Sequence, residues 1–420
     1  MNWQTPRGTR DLLPEEMALR NELYEKFRRV FEMYGYGMVE TPAFEDFELL
    51  AKKSGEEIKN EIYYFEDKSK RKLGLRFDPT VPICRIVATN RALTKPIKFS
   101  YITRMWRYDR PGEGRYREFW QAGCELIGPK GASADMEVLL VASALLKAAG
   151  VKNFIFRVNS RELLERMLKE IDVPKDEIGA VLRLIDKFDK IGEATFRQEL
   201  KKLKIKNDSI EFLCDSIKRG GATVKFKDAE SNVTAWREFK QITDLVARAK
   251  EAGIENIEWN SSIVRGIDYY TGFVFETFIK GKESIGSVCS GGRYDTLVKV
   301  YGGEDLPAVG FGLGIDRLLD ATEAKPKQTS VKVFIASVNE SLLNEAQSIA
   351  SVLRSGGISC ETDLMDRDFS KQMKYANAKS IPYVIIVGPE ELKSGTVKLK
   401  EMKSGKETVI KIAEMLRRLQ

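Results

Sequence analysis

The stretch that decides the fold is residues 97–128, IKFSYITRMWRYDRPGEGRYREFWQAGCELIG. It reads as two extended arms around a turn at Pro111, Gly112 and Gly114, and this pattern predicts a β-hairpin. Alternate side chains of a strand point to opposite faces of the sheet, so residues of equal parity share a face. The hairpin therefore presents two faces of different chemistry.

The return arm of this hairpin separates apolar residues from polar ones. One parity class is apolar and suited to burial, and it comprises Trp120, Ala122, Cys124 and Leu126. The other class carries a guanidinium, a ring, an amide and a carboxylate, from Arg117, Phe119, Gln121 and Glu125. The whole hairpin holds five arginines, Arg104, Arg107, Arg110, Arg115 and Arg117. A lone arginine would read as a solvated charge, but five beside a glycine-rich tip predict an anion-binding platform, most simply for phosphate.

The chain contains no histidine in 420 residues. This absence excludes Ser-His-Asp and Cys-His catalysis, imidazole general bases and histidine-ligated metal sites. The chemistry must then rest on carboxylates, arginines, tyrosines, backbone amides and a metal ion carried by the substrate. Phosphoryl or nucleotidyl transfer suits this set, because it depends on charge stabilisation and positioning more than on an acid–base residue.

Length and composition predict a globular protein of two or three domains. Basic residues exceed acidic ones by 69 to 62, a net charge of +7, which permits nucleic-acid binding without demonstrating it. The five cysteines are scattered and include no C-x-x-C, so neither a disulfide framework nor a zinc site is expected. With no signal-peptide pattern and no apolar run approaching a membrane span, the sequence predicts a cytoplasmic protein without a membrane partner.

The order of patterns along the chain predicts its domains. Residues 171–250 are Lys-rich and helical in pattern, which indicates a helical insertion. Residues 321–330 are polar, lack periodicity and read as a linker. Residues 331–420 alternate strand and helix patterns, which predicts a small α/β domain with a mostly parallel sheet and a late hairpin. The first domain then covers residues 1–320, interrupted by the insertion.

Two further segments place polar groups in extended sequence. LRFDPTVPICR (75–85) puts Asp78 and Thr80 on one side of an extended segment, where a turn held by their own side chains is the simplest account. In SIVRGIDYYTGFVFETF (262–278), Arg265 interrupts what is otherwise the pattern of a buried strand. Because a buried arginine needs a partner, the second segment favours a site.

Two glycine-containing segments follow. CSGGRYD (289–295) supplies paired glycines, either for a close backbone approach to a ligand or for a tight turn. GFGLGIDRLLD (310–320) places three glycines before an arginine at a helix start, and it matches neither the phosphate loop nor the dinucleotide fingerprint. Each segment is a weak signal alone, and their order along the chain carries the weight.

In that order the segments resemble the signatures of the histidyl-tRNA synthetases, a family of class II aminoacyl-tRNA synthetases. GYGMVETPAF (35–44) resembles class II motif 1, a dimer-interface element; the arginine hairpin resembles motif 2, and GFGLGIDR (310–317) resembles motif 3. VRGIDYYTG (264–272) and SGGRYD (290–295) resemble the two signatures peculiar to the histidine-specific family. The resemblance implies an α+β catalytic domain with an antiparallel sheet, a helical insertion and a C-terminal α/β anticodon-binding domain.

The resemblance also implies a role for each matching residue at the nucleotide. Arg107 and Arg265 match the arginines at the α-phosphate and are the implied catalytic residues, while Arg317 matches the arginine towards the γ-phosphate. The full set that matches ATP-binding residues is Arg107, Asp109, Arg115, Phe119 and Arg317. Phe119 matches the ring that stacks on adenine.

A second set matches the residues that bind histidine: Asp78, Thr80, Arg107, Gln121, Glu125, Arg265, Tyr269 and Tyr270. Of these, Asp78, Thr80 and Gln121 match the groups that hold the α-ammonium. Glu125 and Tyr270 match the pair that reads the imidazole, and Tyr269 lines the same pocket.

The activity implied by the resemblance joins L-histidine to its tRNA. ATP, with Mg²⁺ carried on it, and histidine give histidyl-adenylate and pyrophosphate, and the histidyl group then passes to the 3′ end of tRNA(His). A homodimer is implied, and a protein-bound metal is not. Tyr108 and Trp120 stand where many relatives carry histidine, and by parity both are expected to face away from the ligand.

Three other interpretations are weighed against this one. Some chains of this family are histidine-binding regulatory subunits of ATP phosphoribosyltransferase without catalysis, but these usually lack the anticodon-binding domain and the ATP arginines. Another class II specificity is disfavoured by the signatures at 264–272 and 290–295. A basic RNA-binding module would explain the arginines but not Asp78, Glu125 and the paired tyrosines.

Overall fold

The computed structural model describes residues 3–53, 55–112, 114–218, 233–264, 269–322 and 329–419. The chain divides into two compact units, Met1–Asp11 with Leu23–Glu323, and Leu12–Glu22 with Ala324–Gln420. In the part of the chain that the structure describes, no helix is long and apolar enough to cross a membrane.

The larger unit is built on an eight-stranded sheet. In spatial order its strands are β1 (Gly37–Met38), β5 (Ile97–Trp106), β6 (Glu118–Ile127), β11 (Ala308–Gly314), β10 (Cys289–Arg293), β9 (Phe273–Ile279), β7 (Phe154–Ser160) and β8 (Ile257–Trp259), numbered along the chain. The pairs from β5 through β7 are antiparallel, and the outer pairs β1–β5 and β7–β8 are parallel. The predicted antiparallel α+β architecture is therefore confirmed.

A three-stranded antiparallel sheet and the helices complete this unit. The small sheet contains β2 (Phe44–Asp46), β4 (Lys72–Leu75) and β3 (Tyr64–Glu66), in that spatial order. Outside the insertion the helices of this unit are the part of α1 (Pro14–Met33) from Leu23 onwards, α2 (Phe47–Ala51), α3 (Gly55–Glu61), α4 (Thr80–Thr89), α5 (Ala132–Ala148), α11 (Leu297–Val300) and α12 (Ile315–Ala321).

The described parts of the Lys-rich region, residues 171–218 and 233–250, are largely helical, as their pattern predicts, and residues 219–232 lie outside the described residues. Its helices and the one before it are α6 (Arg161–Glu170), α7 (Ile178–Asp186), α8 (Phe188–Lys202), α9 (Asn207–Lys218) and α10 (Val233–Glu251). Leu168, Leu182, Phe196 and Leu213 belong to a separate core of this region. The last helix differs, because Leu245 and two other apolar residues of α10 pack in the core of the main sheet.

The hairpin that decides the fold forms as its alternation predicts. The apolar class of β6, with Ala122, Cys124 and Leu126, is buried in the core together with Phe27 and Phe31. The opposite face of the sheet is covered as well, by a second apolar cluster that includes Met105 and Tyr294. The polar class of β6 is consequently not open to water along its whole length: Glu125 is only 1% exposed.

Two local expectations need correction. Residues 75–85 do not stay extended, because α4 begins at Thr80, with Pro79 at its N-cap and Pro82 in its first turn. A proline is tolerated there since the first amides of a helix have no intrahelical acceptor. Among the described residues of 262–278, 262–264 and 269–278, the strand is confined to β9, which begins at Phe273.

The smaller unit has the predicted alternation of strands and helices. Its five-stranded sheet has the order β13 (Cys360–Thr362), β12 (Val333–Ser337), β14 (Tyr383–Val387), β15 (Thr396–Glu401), β16 (Glu407–Lys411). The first three strands are parallel, and β15 and β16 add the predicted hairpin in antiparallel pairing. The helices between and after them are α13 (Leu343–Ser355), α14 (Phe369–Ala378), α15 (Pro389–Lys393) and α16 (Met415–Leu419).

Candidate active site

The polar class of β6 lies beside glycines of the neighbouring strand. In the register of β6 with β11, Gly310 stands opposite Glu125. A Cβ atom at Gly310 would lie 1.7 Å from Glu125 Oε2, and one at Gly312 would lie 1.6 Å from Gln121 Nε2. Both distances are far below van der Waals contact, so the glycines of 310–317 supply the space that these two side chains occupy.

Glu125 is the most deeply buried carboxylate of this group. Its Oε1 accepts a hydrogen bond from Thr80 Oγ1 at 2.7 Å, and its Oε2 accepts one from the Tyr294 hydroxyl. Burial raises the pKa of Glu125 to about 8, although both hydrogen bonds favour the charged form. A carboxyl with this pKa can accept or give up a proton near neutral pH.

Aromatic rings line the same region. The ring centroids of Tyr269 and Tyr270 are 4.9 Å apart, and those of Tyr269 and Tyr294 are 5.8 Å apart. All three residues are buried. The two tyrosines named from the sequence thus lie beside a third, Tyr294, which contacts Glu125 directly.

Tyr294 is a residue of this region that sequence reasoning did not single out, although CSGGRYD contains it. The residue before it, Arg293, is buried and pairs with Asp135 (Nη2 to Oδ1, 2.6 Å) and with Asp295 (Nη1 to Oδ1, 3.0 Å). Burial raises the pKa of Asp135 to about 6, and the Arg293 charge opposes that rise. This network fixes the end of β10 and therefore the position of the Tyr294 phenol.

Two buried acceptors of the predicted histidine set remain unsatisfied. Asp78 Oδ1 accepts the Val81 amide at 3.2 Å, whereas Asp78 Oδ2 and Gln121 Oε1 have no hydrogen-bond partner among the described residues. Burial raises the pKa of Asp78, and the Val81 amide and Arg107 oppose the rise. Buried polar atoms of this kind are costly unless a ligand satisfies them, so they indicate where a donor-rich group would bind.

The arginine loop, residues 107–117, carries most of the predicted ATP contacts. Arg107 Nε donates to the Phe77 carbonyl at 3.1 Å, and its guanidinium carbon lies 5.4 Å from the centroid of the Phe119 ring. Arg115 and Asp109 form an ion pair with each other at 3.2 Å. The structure therefore brings Arg107 and Phe119 together, and it pairs the other two predicted residues.

Arg317, at the start of α12, reaches the tip of the same loop. Its Nε donates to the Gly114 carbonyl at 3.2 Å and its Nη1 donates to the Ser287 carbonyl at 2.8 Å. Two of the three arginines in the predicted ATP set, Arg107 and Arg317, thus donate to main-chain oxygens. The other predicted catalytic residue, Arg265, lies outside the described residues.

The antiparallel sheet carries an arginine loop and, next to Gly310 and Gly312, a pocket formed by Asp78, Thr80, Gln121 and Glu125, which we call the carboxylate pocket. Another arginine, Arg317, stands at the start of a helix. This is the arrangement of class II aminoacyl-tRNA synthetases. The family described as Histidyl-tRNA synthetase matches residues 8–318, and the family described as Anticodon binding domain matches residues 332–420. The chain belongs to the histidyl-tRNA synthetase family.

Individual members of this family are similar to the chain over its full length. A protein named Histidine--tRNA ligase from Methanococcus maripaludis strain C6 is 39% identical over 99% of each chain, and one of the same name from Archaeoglobus fulgidus is 36% identical over 100% of each. The crystal structure of histidyl-tRNA synthetase from Nostoc sp. PCC 7120 is similar with a TM-score of 0.84 and 26% identity, covering 100% of this chain and 99% of that one.

Proposed function

We infer that the chain is a histidine–tRNA ligase. The carboxylate of L-histidine attacks the α-phosphorus of ATP; the bond to the β-phosphate oxygen breaks, and pyrophosphate leaves with its electron pair. The histidyl-adenylate then gives its acyl group to a hydroxyl of the 3′-terminal ribose of tRNA(His), and AMP leaves. The observation that carries this proposal is the buried, glycine-enclosed Glu125 beside the unsatisfied acceptors of Asp78 and Gln121, in a chain whose full length matches the family.

The carboxylate pocket explains how histidine would be selected. The α-ammonium group brings three donors, which suits the free acceptors at Asp78 and Gln121, with Thr80 beside them. Glu125 and Tyr270 bind the imidazole, Glu125 by accepting an N–H, and Tyr269 lines the same pocket. An amino acid without ring nitrogens would leave the buried Glu125 poorly paired, which disfavours it strongly.

The arginine loop would bind ATP. Arg107 and Arg265 stabilise the charge that develops on the α-phosphate, and a preorganised donor of this kind contributes on the order of 3 kcal/mol to the transition state. Arg317 binds towards the γ-phosphate, Phe119 stacks on adenine, and Arg115 and Asp109 complete the set. Mg²⁺ arrives with ATP, where phosphate oxygens and water supply most of its ligands, so it requires no dedicated protein cage.

We further propose that the domain limits are those predicted from the sequence. Residues 1–320 form the catalytic domain with an insertion at 171–250, residues 321–330 form a linker, and residues 331–420 bind the anticodon of tRNA(His).

We also propose a homodimer, which is supported by large exposed hydrophobic side chains on and beside motif 1. These are Met38 (45% exposed), Phe44 (51%), Tyr64 (48%) and Phe65 (37%). An apolar patch of this kind marks an interaction surface. The protein would work in the cytoplasm, where its tRNA is.

Amino-acid-dependent ATP–pyrophosphate exchange tests the function. Purified protein is assayed with histidine, threonine, proline or glycine as the amino acid. Exchange with histidine alone supports the proposal, and charging of tRNA(His) by the same preparation completes it. Histidine binding without exchange would instead favour the non-catalytic regulatory subunit, and exchange with another amino acid would favour a different specificity.

A further inference from the structure

A short segment before α1, residues 7–10, lies along the arginine loop, and we call it the strap. The Arg117 amide donates to the Gly8 carbonyl at 2.8 Å. Gly8 has φ +85°, and a Cβ there would lie 2.8 Å from Cγ of Arg117. The left-handed backbone and the close approach both require glycine at this position. The strap is therefore fitted to the loop and not merely adjacent to it.

Arg10 joins the strap to two other parts of the larger unit. Its Nη1 donates to the Tyr116 hydroxyl at 2.9 Å, and its guanidinium carbon lies 4.0 Å from the centroid of the same ring. Its Nη2 forms an ion pair with Asp316 Oδ1 at 2.7 Å. Arg10 thus contacts both the arginine loop and the start of α12.

Asp316 links Arg10 to β6. It is only 5% exposed, and its second oxygen, Oδ2, accepts the Trp120 amide at 2.7 Å. One buried carboxylate therefore binds a guanidinium from the strap and a main-chain amide from the hairpin. Taking the guanidinium away would leave this buried carboxylate without one of its partners, which favours a change in its position.

Each partner in this network is the immediate neighbour of a residue of the proposed ATP set. Tyr116 follows Arg115, Trp120 follows Phe119, and Asp316 precedes Arg317. We propose that Arg10 is a positioning residue for ATP: through Asp316 and Tyr116 it keeps Phe119, Arg115 and Arg317 at the spacing that the nucleotide needs. This inference rests on the proposed function, since it concerns the same nucleotide site.

Direct binding of ATP to the full chain, measured by titration calorimetry without histidine, tests the strap. Arg10→Ala should weaken ATP binding by about tenfold, because small displacements of binding groups have large effects. The dissociation constant for histidine alone should change by less than about twofold, because the hydrogen bonds and ion pair of Arg10 within the described part of the chain go to Tyr116 and Asp316, outside the carboxylate pocket. Arg7→Ala is the matched control: it removes the same charge from the same segment, and the Arg7 side chain has no hydrogen bond or ion pair with the described residues, whereas its carbonyl accepts from Arg117 Nη1 at 3.5 Å.

Arg10→Lys is a second variant, included in case Arg10→Ala does not fold. Thermal unfolding of each variant, followed by circular dichroism, shows whether it is folded. Lysine keeps the charge but not the fork that serves Asp316 and Tyr116 together, so we expect an ATP affinity between wild type and Arg10→Ala. Unchanged ATP affinity in both variants, or equal losses for ATP and histidine, would overturn the inference. A wild-type protein that binds no ATP would overturn it too, whereas one that binds ATP but does not activate histidine would overturn only the proposed function.

Discussion

The carboxylate pocket and the arginine loop occupy one hairpin, yet they are built in opposite ways. In the pocket Glu125 is 1% and Asp78 4% exposed, and Asp78 Oδ2 and Gln121 Oε1 have no hydrogen-bond donor among the described residues. In the loop the Arg115 side chain is 43% exposed, and Arg115 and Arg107 already have partners within the protein, as has Arg317, which reaches the loop from α12. Under the proposed function, histidine would supply donors to the acceptors of the pocket, whereas the loop would exchange existing contacts for phosphate. Specificity is therefore expected to reside in the pocket, and changes there should have larger effects.

The largest expected effect comes from filling the space around Glu125. Gly310→Ala would put a Cβ 1.7 Å from Glu125 Oε2 and 2.6 Å from the Cys124 carbonyl. Displacing the carboxylate should lower kcat/KM for histidine by about 100-fold or more. Overpacking should also lower the free energy of unfolding by about 1–3 kcal/mol. Pyrophosphate exchange and denaturant unfolding measure the two effects.

Gly179→Ala in α7 is the control for that change, since the nearest atom to its Cβ would be 3.6 Å away on a flexible arginine. It should keep wild-type exchange. If Gly310→Ala binds histidine normally, the enclosed geometry of the pocket is not what selects the amino acid.

The next effect concerns the charge of the pocket. Glu125→Gln keeps the shape but weakens the acceptor for the imidazole N–H, so the KM for histidine should rise by about 10- to 100-fold. ATP affinity should stay near the wild-type value. Glu118→Gln is the matched control on the same strand, where the carboxylate pairs with Arg104 away from the pocket. Parallel losses for histidine and ATP in Glu125→Gln would contradict the division between the two regions.

The pH dependence of stability gives a smaller effect from the same residue. The folded pKa of Glu125 is raised to about 8, above its value in the unfolded chain, so the folded state holds this proton more tightly. Its contribution to stability is complete below about pH 4. That contribution is lost as the pH rises towards and through 8. The free energy of unfolding of wild type, relative to Glu125→Gln, should therefore fall between pH 5 and pH 9 in denaturant titrations; a constant difference would rule out a raised pKa.

The smallest effect is expected in the exposed loop. Arg115→Ala removes a solvent-exposed pair with Asp109, so the KM for ATP should rise by only about two- to fivefold. The KM for histidine should not change. Arg110→Ala is the control in the same loop, as Arg110 is exposed and lies outside the proposed ATP set. An effect of Arg115→Ala as large as that of Glu125→Gln would reverse the comparison between pocket and loop.

Local pattern predicted much of this molecule. Alternation along β6 placed Gln121 and Glu125 on the face opposite Ala122 and Cys124, and the structure agrees. The pattern around Thr80 predicts extended chain, because two prolines and an aspartate are typical of turns. The structure has a helix there, since prolines are also compatible with the first turn of a helix. The burial of Glu125 could not be predicted, because the cluster that covers it comes from distant segments.

The sequence by itself determined the hairpin, the order of the motifs and the exclusion of histidine chemistry, because these depend on residue type and on the period of two along a strand. Only the tertiary structure decided which tyrosine hydroxyl donates to Glu125 and which cationic side chain pairs with Asp316. Tyr294 lies 169 residues from Glu125, and Arg10 lies 306 residues from Asp316. Pairs so far apart meet through the register of β6, β11 and β10 and the course of the strap, and no local pattern encodes that meeting.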